Sequence, residues 1–417
     1  MKTEKNSRAF IVGFAAILMG AISTVPLAVS SIFIPPMAAA LEASVTAVSL
    51  FASISALAGM ITSFLLGKLL KTFPFKALIV AGGIFSGLLM VTIGLSTSLP
   101  LIYAAAFLQG IGLIIAGAAM TQTVLSQWFM DKLGLMMSMI LVFTMLLAAV
   151  LNAALAPVIV SAGYQTVALW LGIISAAVVV FLGLFIIVES PAKVGLKPYG
   201  YTEDAAAAAG AQYVPTGFTL KQAFKTAPFW AILFYMILTT VAAQAIGSQA
   251  SNYYQAIGLD AATAGLVIAV NALMGIVFCL VAGILSDKKS PAFAASIVLG
   301  CAAVAFLLNF MWSGMGGAMI ASVLFAGTSA TSVFGSTMVT KLYGTKDAGS
   351  LLGFTNAAGN IGSLLGPILA ASFFDKFGNY KIGFVIVGVL CIAAIVLANT
   401  AGSKKAEAQL KELEQAV

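Results

Sequence analysis

The sequence has no histidine, only three cysteines and very little charge: Asp, Glu, Lys and Arg together make up 8% of 417 residues. The missing histidine removes the commonest acid–base group and metal ligand, so an enzyme reading has little to stand on and neither a metal nor another cofactor is expected. Cys279, Cys301 and Cys391 all lie within apolar stretches, where they read as small packing residues rather than disulfide or metal partners. About a quarter of a typical soluble domain is charged, so a chain 61% hydrophobic and 8% charged is no soluble globule. The net charge of +7 comes from basic loops without interleaved aromatics, so no nucleic-acid partner is implied.

What the chain does have is long apolar runs. Twelve of them, each roughly 20 residues, carry no charged residue near the middle, which is the length a helix needs to cross a hydrocarbon core about 30 Å thick. They are 10–34, 45–66, 77–96, 101–126, 135–159, 167–188, 229–250, 261–285, 291–311, 318–340, 351–372 and 382–399. The pattern predicts an all-α membrane protein of twelve transmembrane helices, with both termini on one side of the bilayer. Short cytoplasmic loops collect Lys and Arg, and with the N-terminus inside only Lys376 and Lys381 of the twenty basic residues fall outside. That orientation puts both termini in the cytoplasm of a multi-pass protein of the plasma (inner) membrane. The basic start followed by an apolar stretch is similar to a signal peptide, but the stretch is too long and contains Pro26, so it reads as a retained first helix.

The longest polar interval divides the spans six and six. It sets a first bundle at 1–188, a cytoplasmic central loop at 189–227, a second bundle at 228–400 and a cytoplasmic tail at 401–417. The middle of the loop, 203–210, lacks an amphipathic pattern and reads as flexible or as a short frayed helix. The tail pairs Glu407 with Lys411 at i, i+4 and reads as a short solvated helix. Matching residues recur in the two halves: Gly67 with Gly283, Lys132 with Lys346, Pro157 with Pro367, and Gly163 with Gly378. An offset near half the chain length indicates an internal duplication.

The loop from Trp128 to Gly134, the segments from Pro191 to Gly200 and from Ala227 to Trp230, and the run from Gly283 to Lys289 resemble parts of major facilitator transporters, and specifically of their oxalate/formate antiporter and monocarboxylate porter branch. The loop Trp128-Phe129-Met130-Asp131-Lys132-Leu133-Gly134 is similar to that branch's loop between helices 4 and 5. The segment from Pro191 to Gly200 resembles the opening of its central loop, and Ala227-Pro228-Phe229-Trp230 resembles the start of its helix 7. The run from Gly283 to Lys289 and the pair Gly366-Pro367 resemble general facilitator features of helices 8 and 11. The resemblance implies two pseudo-symmetric six-helix bundles with a solute site between the halves near the midplane. It also implies a secondary transporter of a small organic solute, monocarboxylate-like, working by alternating access as an exchanger or uniporter, with lipid as its surroundings and a monomer as its unit.

Departures from the family pattern are as informative. After span 2 the expected acid is Lys71, whereas after span 8 the acid remains as Asp287. The resemblance makes Asp287, Lys71, Asp131 and Lys132 gating residues, with Asp287 expected to meet the positive end of helix 11 near Ala348 and Gly349. The basic positions that neutralise the anion in oxalate/formate antiporters fall on Cys279 and Gly359, neither of which can hold a carboxylate electrostatically.

With no charge inside the spans, the candidate solute contacts are neutral: Ser23 and Thr24, Gln109, Asn152, Gln244, Asn271, Thr328 and Ser329, Asn356 and Asn360. The amides are the sharper candidates, because their donors and acceptors are hard to satisfy in lipid and so point inward. Glycines such as Gly110, Gly112 and Gly353 read as close-packing faces, and Trp170, Trp230 and Trp312 as interfacial anchors. All thirteen acids fall in loops, span ends or tails, which argues against a proton relay through the midplane. An uncharged site equally suits a neutral or amphipathic compound handled as drug-efflux transporters do. A non-transporting solute sensor on the same fold is the remaining alternative.

Overall fold

The computed structural model describes the backbone of residues 2–201, 216–312, 314–377, 381–403 and 406. The central segment expected to be flexible, 203–210, and the tail pair Glu407 and Lys411 lie outside the described residues. In chain order the helices are α1 (Lys2–Ala28), α2 (Ile34–Ala40), α3 (Val45–Thr72), α4 (Phe75–Leu95), α5 (Leu99–Ile115), α6 (Ala118–Trp128), α7 (Leu133–Ala162) and α8 (Tyr164–Phe185). They continue as α9 (Leu220–Ala223), α10 (Ala227–Ala256), α11 (Ala261–Lys288), α12 (Pro291–Met311), α13 (Met315–Phe325), α14 (Thr331–Tyr343), α15 (Ala348–Phe377) and α16 (Lys381–Ala401). Three pairs, α1 with α2, α5 with α6, and α13 with α14, each make one membrane-length rod, so the fold is the expected twelve-helix all-α membrane protein.

Capping residues set several helix starts. Ser44 accepts a hydrogen bond from Ala47 N at the start of α3, Ser290 from Phe293 N at α12, and Asp260 from Thr263 N at α11. Hydrogen bonds from Thr263, first of its side chain and then of its backbone, also hold the Asp260 carboxyl below its usual value. Pro291 occupies the first position of α12, where its missing N–H costs nothing.

The chain forms two compact units. Unit 1 comprises Met1–Asp131, Ile140–Pro215 and Ala348–Gly353; unit 2 comprises Lys132–Met139, Thr216–Asp347 and Phe354–Val417. Within unit 1, α4 packs along α8 and α3 along α5, with glycines where backbones approach. Gly110 lies against the Ser55 carbonyl and Gly87 against the Gly172 carbonyl. In lipid no hydrophobic drive pulls apolar helices together, so close approach through small residues supplies the packing energy. Phe33, Phe51, Met90 and Ile102 fill a core between α2, α3, α4 and α5. Within unit 2, α16 packs on both α10 and α12, and Tyr235 and Phe334 are fully buried.

Both ends of the central loop are fastened to helix-connecting loops. Tyr199 N donates to Trp128 O at 2.8 Å and Tyr199 O accepts from Met130 N at 2.9 Å, while Phe10, Phe129 and Tyr199 form an aromatic cluster. On the other side of the gap, Phe218 N donates to Tyr343 O and Thr345 N to Thr216 O. Gly217 (φ 125°) and Gly344 (φ 72°) make that second crossing possible, since their backbones pair directly in a region of φ that L side chains rarely adopt.

Candidate functional site

Spans 4 and 10 read as continuous in the sequence, yet both are interrupted mid-membrane. Helix α5 ends at Ile115 and α6 begins at Ala118; a side chain at the intervening Gly117 would collide with the Leu113 carbonyl. Ser23 on α1 donates to Gly20 O (2.9 Å) and lies 3.3 Å from Ala116 O, a carbonyl at the break. In unit 2, Ala326–Ala330 tighten into a 3-10 turn between α13 and α14, with Thr328 bonded to Phe325 O and Thr331 to Thr328 O. Paired interruptions at corresponding places in the two halves are the best structural pointer to where a transporter holds its solute, because they bring freed backbone groups to a cavity.

The candidate side chains separate into different roles around these breaks. Gln109 is fully buried: its Oε1 accepts from Ser55 Oγ at 3.2 Å and its Nε2 donates to Ser86 O at 3.3 Å, which joins α3, α4 and α5. Thr24 bonds its own helix and meets Thr144 on α7 at 3.4 Å. Asn152, half-buried, donates to Ala148 O at 2.8 Å and keeps a buried carbonyl oxygen. In unit 2, Asn271 donates to Ser322 O at 2.7 Å, and the side chains of Ser322 and Tyr254 hydrogen-bond each other. That brings α10, α11 and α13 together through Tyr254, Asn271 and Ser322. Gln244 is exposed at the α10–α15 crossing, Thr328 is buried, and Ser329, Asn356 and Asn360 are half-buried.

Sequence reasoning missed Thr144, Tyr254 and Ser322; the one signal for Tyr254 is a Tyr-Tyr pair toward the outer end of span 7. An apolar groove of about 400 Å³ between α1, α7 and α8, walled by Leu151, Leu155, Trp170 and Ile174, has almost nothing to orient a hydrophilic solute.

The gating expectation needs a correction. Asp287 does not meet the start of α15: its Oδ1 accepts from Gly134 N at 2.8 Å and its Oδ2 from Leu135 N at 2.9 Å, in the first turn of α7. Those N–H groups have no intrahelical acceptor and carry the positive end of the helix dipole, so a carboxylate is their natural partner. The clamp lies wholly within unit 2. Lys341 on α14 reinforces it, with Nζ 3.9 Å from Asp287 Oδ1 and donating to Ser286 O at 2.9 Å. Gly283 allows the approach, because a side chain there would collide with Ser138 Oγ and Gly134 O. At the corresponding place in unit 1, Gly67 lies against Ser350 and Gly349 against Leu70, so small-residue packing stands where unit 2 has a carboxylate. Lys71, Asp131 and Lys132 are exposed; Asp131 N donates to Tyr199 O, and Lys132 adopts φ 58° to turn the chain into α7. Asp347, by contrast, caps α9 through Leu220 N at 3.0 Å.

Residues 10–335 match the Major Facilitator Superfamily. The chain belongs to that superfamily. The comparison with curated proteins finds no match. Among solved structures, the E. coli fucose:proton symporter FucP is similar with a TM-score of 0.75 at 14% identity, over 95% of this chain and 100% of that one. The proton:xylose symporter XylE follows at 0.74 and 13%, over 94% and 95%. A bacterial homologue of the iron transporter ferroportin in an outward-facing state gives 0.67 at 15%, over 94% and 98%. At these identities the likeness shows the fold alone. The family match and the long apolar helices make this facilitator a multi-pass membrane protein of the secondary-transporter class.

Proposed function

We propose that this facilitator moves a small organic solute across the plasma (inner) membrane by alternating access, with both termini cytoplasmic, as a monomer, and without enzymatic activity. The solute travels without net charge, as a neutral compound or as an undissociated monocarboxylic acid. One observation carries this: the polar side chains around the two helix breaks are hydroxyls and amides, while every Asp, Glu, Lys and Arg falls at span ends, in loops or in tails. A buried ion without a partner is too costly for such surroundings. A second reading, exchange of a monocarboxylate anion as in the oxalate/formate branch, is favoured by the start of α6, where Gly117 offers no side-chain cap and leaves a positive helix end.

In vesicles preloaded with a solute that stabilises the purified protein, counterflow of labelled solute is expected to run at full rate without a pH gradient. Accumulation of a non-ionisable solute driven by an imposed pH gradient would show that the uncoupled mechanism is wrong. Stabilising solutes that never exchange would favour a sensor instead.

A further inference from the structure

Unit 1 carries a patch of oxygen atoms whose hydrogen-bonding direction is fixed by the helices beneath them. Thr24 has one hydroxyl proton, and the 2.7 Å contact to Ala21 O takes it. Thr144 donates its own to Ile140 O at 2.8 Å. The two hydroxyl oxygens stand 3.4 Å apart, longer than either of those bonds, so what they turn to the space between them is lone pairs. Two turns further along α7, Asn152 Nδ2 donates to Ala148 O at 2.8 Å. That bond settles the amide's orientation, because the flipped form would set an oxygen against an oxygen. Asn152 Oδ1 is then a buried acceptor with no hydrogen-bond partner among the described residues, beside an Nδ2 that still has one proton to give.

A buried acceptor is unfavourable until a donor reaches it, and an anion makes it worse. A carboxylate brings only acceptors and would face Oδ1 with like partial charge. An undissociated carboxyl, or a primary amide, carries a donor and an acceptor side by side. Its O–H or N–H can satisfy Oδ1 while its carbonyl takes the remaining Nδ2 proton. Thr24 and Thr144, about 12 Å away along α7 at 1.5 Å of rise per residue, show the same acceptor character, since each gives its own proton to its helix.

We infer that Asn152 binds the donor-bearing end of the solute, and that the solute class is an undissociated carboxylic acid or a primary amide rather than a carboxylate anion. The inference rests on the transporter reading above and specifies one contact within it.

The test uses the full-length protein in lipid nanodiscs at one neutral pH, with two matched pairs of probes: propionamide with propionate, and lactamide with lactate. Thermal unfolding gives the concentration of each probe needed to raise the midpoint. The amides are expected to stabilise at lower concentration than their carboxylates. Asn152→Leu should raise the concentration of amide required by about tenfold, the size of one lost hydrogen bond. Asn152→Asp, which keeps an acceptor, should fall between parent and leucine variant. Carboxylates binding in preference to amides would overturn the inference while leaving a transporter of anions standing. Amide binding that Asn152→Leu does not weaken would overturn the assignment to Asn152. If none of the four probes stabilises the protein while another neutral solute exchanges in vesicles, the inference is overturned and the transporter reading stands.

Discussion

Asp287→Ala is expected to lower the melting midpoint by several degrees and to open the start of α7 to labelling. The carboxylate takes two first-turn N–H groups at 2.8 and 2.9 Å and sits beside Lys341, with its side chain only 15% exposed. Hydrogen bonds to a charged group contribute about 1.5–3 kcal/mol, and the loss strands the two donors as well. Asn is expected to rescue little, because its NH₂ would be turned toward one of the backbone N–H groups it must accept from. Ser138 offers the readout: it is fully buried, lying where Gly283 leaves room for it. A thiol at Ser138→Cys should resist a water-soluble maleimide in the otherwise native protein and react when Asp287 is removed. Equal labelling and an unchanged midpoint would show that the carboxylate does not hold α7.

That clamp illustrates what the sequence can and cannot say. Asp287 stood out because an acid four residues after a helix-closing glycine is a facilitator feature. Its partner did not, because Gly134 and Gly349 open α7 and α15 at corresponding places in the two halves, and a one-dimensional pattern offers both positive helix ends equally. The pairing is decided by which helix start packs on which glycine, Gly283 on α7 and Gly67 on α15, and only coordinates carry that information.

The spans were legible for a simple reason: lipid tolerates no midspan charge, so composition alone marks them. Their interruptions were not. The apolar run passes without a pause through Ala116 and Gly117, and glycine inside a span reads as packing. Candidate side chains suffered from the same uniformity. A helix apolar on every side gives little amphipathic signal, so depth in the membrane can be read but rotation about the axis cannot. Gln109 sits at a solute-like depth and yet turns into the bundle to join Ser55 and Ser86, whereas Asn152 keeps an oxygen in reserve. Thr144 escaped notice because a threonine in a long apolar run looks like one that merely returns its proton to its own helix. It does so, and that is why its outward face accepts.

Gly172→Val is expected to have the largest effect on stability, removing most of the folded protein recovered from the membrane. Gly87 on α4 and Gly172 on α8 face each other: a side chain on Gly87 would meet the Gly172 carbonyl, and one on Gly172 would come within 2.6 Å of Gly87 O and 2.7 Å of Val91 N. All of these obstacles are backbone, so no rotamer change can relieve them and the two helices must move apart along the longest packed seam in unit 1. Overpacking costs typically 1–3 kcal/mol where side chains can yield, and about the upper end or more is expected where they cannot. The loss is sharper in lipid than in water, since close approach is the main attraction between these helices. Gly172→Ala should show the same defect in milder form. Gly300 on α12 is the control, because open space surrounds the position a side chain would take there. Gly300→Val should therefore leave the monodisperse peak in fluorescence-detected gel filtration at its parental height, while Gly172→Val should reduce it severalfold. Equal peaks for the two variants would mean that the α4–α8 seam has room that its geometry denies.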